Sequence, residues 1–199
     1  MKSVDFYFDV GSPAAYLAWT QMPRIAQETG ATLVRIPFLL GGVFQATGNK
    51  SPTEVPAKGR YMQDDLARFA QRYGAPFQHN PHFPINTLML MRGATGLLMK
   101  QEDKFVPYVD AVYRAIWVDS LDMNDPAVVG AALHKAGFDP AALVALASDP
   151  EVKERLKSVT MDAVQRGAFG APTFFVDGAM FWGQDRLDFV TQALNKESA

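Results

Sequence analysis

The chain opens with a strand that runs almost directly into a helix, and this junction constrains the fold more than any other feature. Residues 4–8 contain the β-branched Val4 and three aromatic side chains, as in a strand, and Ser12-Pro13 follows them closely. Serine is a preferred N-cap, and proline suits the first position of a helix. We therefore expect the Ser12 hydroxyl to be fixed at the N-terminal end of a helix, where an anion is stabilised.

Hydrophobic periodicity and turn residues predict the elements that follow. A helix over residues 13–28 and a strand over 32–38 complete a β-α-β unit. The stretch 39–56 is rich in Gly, Pro and Asn and is too long for an ordinary connection. Further helices are predicted over residues 58–73, 84–99, 104–117, 125–136, 139 onward and 149–166. Asp-Pro opens the last three, which is a strong signal for a helix start.

Strands return near the C-terminal end. Residues 173–176 and 179–182 are apolar and flank Asp177-Gly178, a strong hairpin signal, and a helix over 184–195 closes the chain. Neither half has enough strands to be stable alone, so the two halves must pack together. The sequence thus predicts an α/β protein with a thioredoxin-like fold (β-α-β … β-β-α) and a large all-helical insertion. The thioredoxin-like domain is assigned to 1–40 and 168–199, and the connecting loop and helical insertion to 41–167.

Composition excludes several classes of function. The 199 residues carry 19 basic and 21 acidic side chains, a net charge of −2, which argues against a nucleic-acid surface. The chain has no cysteine, so disulfides, thiolate metal sites and thiol redox chemistry of its own are excluded. His79 and His82 flank Pro81 in a loop and do not form a helical ligand pair, so no metal site is expected. No signal-peptide or membrane-length apolar run is evident, and we expect a cytoplasmic protein that binds no membrane.

Five short motifs, taken together in this order, resemble one known family. They are residues 8–13 (FDVGSP), 48–52 (GNKSP), 58–62 (KGRYM), 167–173 (GAFGAPT) and 181–186 (FWGQDR). The chain resembles, over nearly its whole length, the kappa-class glutathione transferase and 2-hydroxychromene-2-carboxylate isomerase family. That family is the DsbA-like branch of the thioredoxin superfamily.

The resemblance implies glutathione as the cofactor. DsbA-like oxidoreductases place a reactive cysteine at the helix N-terminus, where this chain has Ser12, so the thiol must come from the ligand. Ser12 is then the catalytic residue and donates its hydroxyl to the glutathione sulfur. The peptide Ala171-Pro172 is expected to be cis and to present its backbone to the cysteinyl part. The implied glutathione-binding residues are Ser12, Asn49, Lys58, Ala171, Pro172, Gly183, Gln184 and Asp185, with Gln184 and Asp185 receiving the γ-glutamyl group and Asn49 and Lys58 near the glycyl end and the sulfur.

The family's helical insertion forms the pocket for a small aromatic substrate. Phe44, His82, Phe83 and Trp117 are the candidates for this pocket, although core packing is an alternative for each aromatic residue. The resemblance also implies a homodimer.

Three functions are compatible with these residues and this resemblance. The first is a glutathione-dependent isomerase that converts 2-hydroxychromene-2-carboxylate to trans-o-hydroxybenzylidenepyruvate, an aromatic-degradation step. The second is a kappa-like glutathione transferase or peroxidase, and the third is a non-catalytic glutathione-binding module. The isomerases' basic and amide residues near positions 44, 54 and 55 are absent here, which leaves Lys50 and Arg60 as nearby cations for the substrate carboxylate.

Overall fold

A four-stranded mixed sheet lies at the centre of the protein. The computed structural model describes residues 2–196. The strands are β1 (Ser3–Phe8), β2 (Thr32–Pro37), β3 (Thr173–Val176) and β4 (Ala179–Trp182), in the order β2-β1-β3-β4. β1 pairs parallel to β2 and antiparallel to β3, and β3 pairs antiparallel to β4. Asp177 and Gly178 both have positive φ at the β3–β4 turn, which confirms the predicted hairpin.

Nine α-helices surround the sheet within the described residues. They are α1 (Pro13–Thr29), α2 (Leu40–Thr47), α3 (Pro56–Tyr73), α4 (Leu88–Lys100), α5 (Glu102–Trp117), α6 (Pro126–Lys135), α7 (Pro140–Ser148), α8 (Pro150–Gln165) and α9 (Leu187–Asn195), with 3₁₀ turns at Pro52–Glu54 and Gln184–Arg186. The three predicted Asp-Pro helix starts are confirmed. Asp125, Asp139 and Asp149 each accept a hydrogen bond from the backbone N–H two residues later, at 2.8 to 2.9 Å.

Helix α2 lies inside the stretch that was predicted to be an irregular connection. Gly41 and Gly42 disfavour a helix locally. Hydrogen bonds with residues distant in sequence stabilise the N-terminus of the helix instead. The backbone N–H of Leu40 donates to the Asp9 carboxylate at 2.8 Å, and that of Leu39 donates to Thr160 Oγ1 at 3.0 Å. The helix therefore forms because two distant side chains satisfy its first N–H groups.

Two other predicted helix boundaries were wrong. The helix expected over residues 84–99 begins only at Leu88, because the preceding segment lies against the α5–α6 connection, where Asn86 N donates to Asn124 Oδ1 at 2.8 Å. The closing helix starts as the 3₁₀ turn Gln184–Arg186 before α9.

The two faces of the sheet bury separate apolar clusters. Phe6 and Phe8 of β1 point into the larger cluster with α1 and α9, whereas Tyr7 points into a smaller cluster with Val159 and Ala163 of α8. Helix α8 therefore covers the second face of the sheet, although it falls within the range 41–167 assigned to the insertion. The domain boundaries themselves stay a prediction. Within residues 2–196, no helix has the length and apolar character needed to cross a bilayer.

Candidate active site

The Ser12 hydroxyl joins the two ends of the chain. Ser12 is the N-cap of α1, as predicted, and its Oγ accepts a hydrogen bond from the Ala15 N–H at 3.1 Å. The same Oγ donates to the carbonyl oxygen of Ala171 at 3.0 Å. Ser12 is 5% exposed. The hydroxyl is thus held at the positive end of a helix with one side facing a cavity.

The segment on the other side of this hydrogen bond has the expected backbone. The Ala171-Pro172 peptide is cis, which confirms the prediction from the family resemblance. The Pro172 carbonyl accepts a hydrogen bond from Gly183 N at 3.0 Å. Among the described residues, the Ala171 N–H has no acceptor. The edge of the cis peptide is therefore free to pair with a ligand backbone.

Trp182 packs directly against the chain that enters the cis peptide. A Cβ at Gly170 would lie 2.5 Å from the Trp182 indole nitrogen. The absence of a side chain at position 170 therefore lets the backbone approach this ring.

A buried carboxylate lies behind the serine loop. Asp9 is 1% exposed, and its Oδ1 accepts from Gly11 N at 2.9 Å. Its Oδ2 accepts from Leu40 N at 2.8 Å and from Thr87 Oγ1 at 3.1 Å. Desolvation by burial raises the pKa of Asp9, and the hydrogen bonds from Gly11, Leu40 and Thr87 partly oppose that rise. Asp9 therefore ties together the serine loop and the starts of α2 and α4.

Sequence reasoning did not single out Asp9 as part of the site. The available signal was an acidic residue at the end of an otherwise apolar strand, in Phe6-Tyr7-Phe8-Asp9. An acid at such a position must find hydrogen-bond donors if it is buried.

A cavity of about 1050 Å³ opens above Ser12, between α2, α3 and the loops that precede α4 and α9. It brings together most of the residues that the sequence indicated. Those that line it are Ser12, Phe44, Asn49, Phe83, Trp117, Ala171, Gly183, Gln184 and Asp185. Its volume is slightly above the usual range of small-molecule sites, which leaves room for two ligands side by side.

Three of the predicted residues do not line the cavity. Lys58 is exposed on the first turn of α3, and Pro172 is buried beneath the lining. His82 points away, and its Nδ1 lies 3.5 Å from Asp122. The histidine that does line the cavity is His79, three residues earlier in the same loop, with its Nε2 3.1 Å from Gln63 Nε2.

The far end of the cavity is formed by the turn before α9. Gly183 has φ 101°, and Gln184 and Asp185 follow it with backbone N–H groups that have no acceptor among the described residues. The Tyr73 hydroxyl donates to the Gln184 carbonyl oxygen at 2.6 Å. Burial raises the pKa of Tyr73, the neighbouring Arg72 opposes this, and Asp185 and Asp188 add to it. Free N–H groups beside the Asp185 carboxylate are suited to a ligand that carries both an anionic and a cationic group.

An aromatic wall closes one side of the cavity. The Trp117 ring packs against Phe77 and Phe83, with ring centroids 6.0 and 5.9 Å away. Its Nε1 donates to the carbonyl oxygen of Val10 at 2.9 Å, which fixes the ring relative to the serine loop. Trp117 is only 1% exposed and so belongs mainly to the core, and Phe77 does not line the cavity; Phe83 is the part-buried ring of this group at the cavity.

Positive charge at the cavity comes from one side chain. Of the lysines and arginines in residues 2–196, Lys50 is the one that lines the cavity; it is exposed and lies 3.5 Å from Glu54. Arg60, the other cation considered from the sequence, does not line it. The described part of the chain contains no cluster of three or more His, Asp or Glu side chains that would hold a metal ion.

Comparison with known proteins gives consistent results. The sequence matches the DSBA-like thioredoxin domain family over residues 3–195. It is 34% identical over 195 residues to the 2-hydroxychromene-2-carboxylate isomerase of Sphingobium xenophagum, which covers 97% of this chain and 98% of the relative. It is 28% identical to glutathione S-transferase kappa 1 of Homo sapiens, over 98% of this chain and 92% of the relative. A solved structure of 2-hydroxychromene-2-carboxylate isomerase superposes with a TM-score of 0.83 at 31% identity, over 96% of this chain and 94% of the other.

Proposed function

The chain belongs to the DsbA-like thioredoxin family, in its 2-hydroxychromene-2-carboxylate isomerase and kappa-class glutathione transferase branch, and we propose that it is a glutathione-dependent isomerase of 2-hydroxychromene-2-carboxylate. The relatives that carry the names of this branch are enzymes, and the chain matches them over nearly their full length. The isomerases are the relatives with the higher identity.

The observation that carries the proposal is the position of the Ser12 hydroxyl, between the N-terminus of α1 and the Ala171 carbonyl. The chain has no cysteine, so a thiol at this place must belong to a ligand. An anionic sulfur accepts a hydrogen bond more strongly than a neutral carbonyl does. Ser12 would therefore turn its hydroxyl from Ala171 to the sulfur and stabilise the thiolate, together with the helix N-terminus.

The residues around Ser12 fit the rest of glutathione. The unpaired N–H of Ala171 is suited to the cysteinyl backbone. The free N–H groups of Gln184 and Asp185 would bind the γ-glutamyl carboxylate, and the Asp185 side chain would bind its ammonium group. Asn49 Nδ2 donates to the Phe169 carbonyl oxygen at 2.8 Å, which joins the connection after α2 to the segment before the cis peptide. We propose Asn49 for the glycyl end, and Lys58, which lies outside the lining next to Gly59, as the family's second candidate there.

Bound glutathione supplies a thiolate that adds reversibly to the conjugated double bond, so that the bond can rotate before the thiolate is released unchanged. The chain holds the reacting parts in place. Phe83 and Trp117 would support the aromatic ring, and Ser12 would keep the sulfur ionised. Lys50 would attract the substrate carboxylate.

The test is whether glutathione is consumed or released unchanged in the reaction. The purified protein is incubated with glutathione and 2-hydroxychromene-2-carboxylate, and both the product and free glutathione are measured. An isomerase forms trans-o-hydroxybenzylidenepyruvate while free glutathione stays constant. The absence of product under these conditions would contradict the proposal.

The similarity to kappa-class transferases favours conjugation as the second candidate. In that case the thiolate attacks an electrophile and stays bound to it. Consumption of glutathione with a chloro-aromatic compound, without isomerisation of the chromene, would support the transferase.

We also propose an oligomeric state, a location and a metabolic role for the protein. Family resemblance favours a homodimer in the cytoplasm that takes part in the degradation of aromatic compounds. Sedimentation of the purified protein at several concentrations tests the homodimer.

A further inference from the structure

The proposed isomerisation needs a proton transfer before the thiolate can act, and the roles given above to Ser12 and the thiolate do not include it. The substrate, 2-hydroxychromene-2-carboxylate, carries a hydroxyl group and the ring oxygen on the same carbon, so it is a cyclic hemiketal. The double bond becomes free to rotate only after the ring opens. Ring opening removes the proton of the hydroxyl and returns a proton to the ring oxygen. It therefore needs a side chain that can first accept a proton and then donate it.

Most of the ionisable side chains at the cavity already have hydrogen-bond partners or another proposed role. The two Asp9 oxygens already accept hydrogen bonds from Gly11, Leu40 and Thr87. Asp185 lies at the γ-glutamyl end and pairs with Arg186 at 2.5 Å. Lys50 lies 3.5 Å from Glu54 and is assigned to the substrate carboxylate. His79 remains, and histidine is the side chain that best exchanges protons near neutral pH.

The loop that carries His79 is fixed on both sides of it. Gln78 N donates to the carbonyl oxygen of Trp117 at 2.7 Å. The Asn80 side chain is fully buried, and its Nδ2 donates to the carbonyl oxygens of Ile116 and Leu121 at 3.0 and 2.9 Å. His79 itself is exposed and lines the cavity. The backbone is thus anchored to the end of α5, which also carries the aromatic wall residue Trp117.

The Gln63 side chain contacts one ring nitrogen of His79. In the structure the NH₂ group of Gln63 faces His79 Nε2 at 3.1 Å, so Nε2 accepts the hydrogen bond and Nδ1 carries the hydrogen. An amide can present either its oxygen or its NH₂ group to this nitrogen. Rotation of the amide by 180° would bring its oxygen to the ring, so that Nε2 keeps its hydrogen and Nδ1 is left as a base. The same oxygen then stabilises the ring after Nδ1 has taken up a proton.

We propose that His79, oriented by Gln63, is the catalytic acid–base residue that opens the chromene ring. The inference rests on the proposed isomerase function. His79 takes the proton of the C2 hydroxyl, and the bond between C2 and the ring oxygen breaks with its electron pair on that oxygen. C2 becomes a ketone carbon. The ring oxygen then takes the proton back from His79, which returns to its neutral form, so that no other reactant is needed.

An open-chain substrate separates this step from the chemistry of the sulfur. In cis-o-methoxybenzylidenepyruvate the ring oxygen is methylated, so no hemiketal forms and no proton is needed there. We expect His79→Gln to lower the turnover of the chromene by about 100-fold or more, the usual contribution of a general acid–base residue. The same variant should isomerise the methoxy compound within about threefold of the wild-type rate, since general acid–base assistance is not needed for it. His82→Gln is the matched control, because it lies in the same loop but points away from the cavity, and it should leave both rates unchanged.

The outcomes distinguish the two proposals. If the wild-type protein isomerises neither compound, the proposed function fails. If the wild-type protein is active and His79→Gln retains chromene turnover within about threefold, or loses activity toward both compounds equally, the role of His79 in ring opening is refuted.

A second measurement needs no glutathione. The imidazole proton signal of His79 in the NMR spectrum is assigned by its absence in His79→Gln. We expect it to shift when trans-o-hydroxybenzylidenepyruvate is added to saturation, while the His82 signal stays in place. A His79 signal that does not move would overturn the contact with the substrate.

Discussion

The hydroxyl of Tyr73 donates a hydrogen bond to the carbonyl oxygen of Gln184 at 2.6 Å, across 111 positions of sequence. Tyr73 is the last residue of α3, and Gln184 begins the 3₁₀ turn before α9. The bond therefore fixes the turn whose N–H groups we assign to the γ-glutamyl carboxylate. It connects glutathione binding to a helix that also forms the wall of the substrate cavity.

Removal of the Tyr73 hydroxyl should weaken glutathione binding more than it slows the reaction. Tyr73→Phe loses one part-buried hydrogen bond, which is worth about 1 kcal/mol, so the Kd for glutathione should rise by about threefold to tenfold. The kcat at saturating glutathione should stay near the wild-type value. Calorimetric titration and steady-state kinetics measure the two effects. Tyr61→Phe is a suitable control, because this tyrosine is 62% exposed; an equal loss of affinity in both variants would refute the prediction.

Replacement of Ser12 by alanine should raise the pKa of bound glutathione. The lost hydrogen bond to a charged sulfur is worth roughly 1.5–3 kcal/mol, so turnover should fall while affinity stays within about tenfold. The ultraviolet absorbance of the thiolate, measured against pH, reports the change directly. Ser12→Thr keeps a hydroxyl at the N-cap and should restore most of the thiolate signal. The same thiolate absorbance in Ser12→Ala and in the wild type would exclude the role assigned to this residue.

The parts of this fold that could be predicted from sequence are those set by neighbouring residues. The Asp-Pro helix starts and the Asp177-Gly178 hairpin depend on side chains that bond to their own backbone. Helix α2 depends instead on Asp9 and Thr160, which are far away in sequence, and it was therefore missed.

The same distinction applies to the candidate site. The N-cap role of Ser12 is local, and it was predicted. Which of His79 and His82 faces the cavity depends on contacts of this loop with the segments around α5, through Gln78, Asn80 and Asp122. No pattern within the loop itself reports those contacts.

The buried Asp9 carboxylate should make the stability of the protein depend on pH in an unusual direction. Its folded-state pKa is raised above the ordinary value of an aspartate, chiefly by desolvation. The folded protein therefore holds this proton at pH values where the unfolded chain has released it. The stability contributed by the protonated carboxyl is fully present below the unfolded pKa and is lost as pH rises through the folded pKa.

Comparison with Asp9→Asn isolates this effect, because other carboxyl groups contribute equally to both proteins. We expect the free energy of unfolding of the wild type to fall relative to Asp9→Asn as pH rises from about 4 to about 7. Urea unfolding at a series of pH values provides the measurement. A difference between the two proteins that is constant with pH, or that grows in favour of the wild type, would show that Asp9 does not have a raised pKa.

Lys50 should select substrates that carry a carboxylate. Among the lysines and arginines of residues 2–196, Lys50 is the one that lines the cavity. Its ion pair with Glu54 is solvent-exposed, with the charged atoms 3.5 Å apart, so a substrate carboxylate can compete for the lysine. Lys50→Gln should raise the KM for the chromene carboxylate by roughly tenfold, the value of a charged hydrogen bond, with little change in kcat. Arg60→Gln removes a cation that does not line the cavity and should change neither constant. Calorimetric titration with glutathione then shows which carboxylate Lys50 binds. An unchanged Kd for glutathione in Lys50→Gln assigns the lysine to the substrate carboxylate. A loss of glutathione affinity without an effect on the substrate KM would assign the lysine to the glycyl carboxylate and refute the prediction.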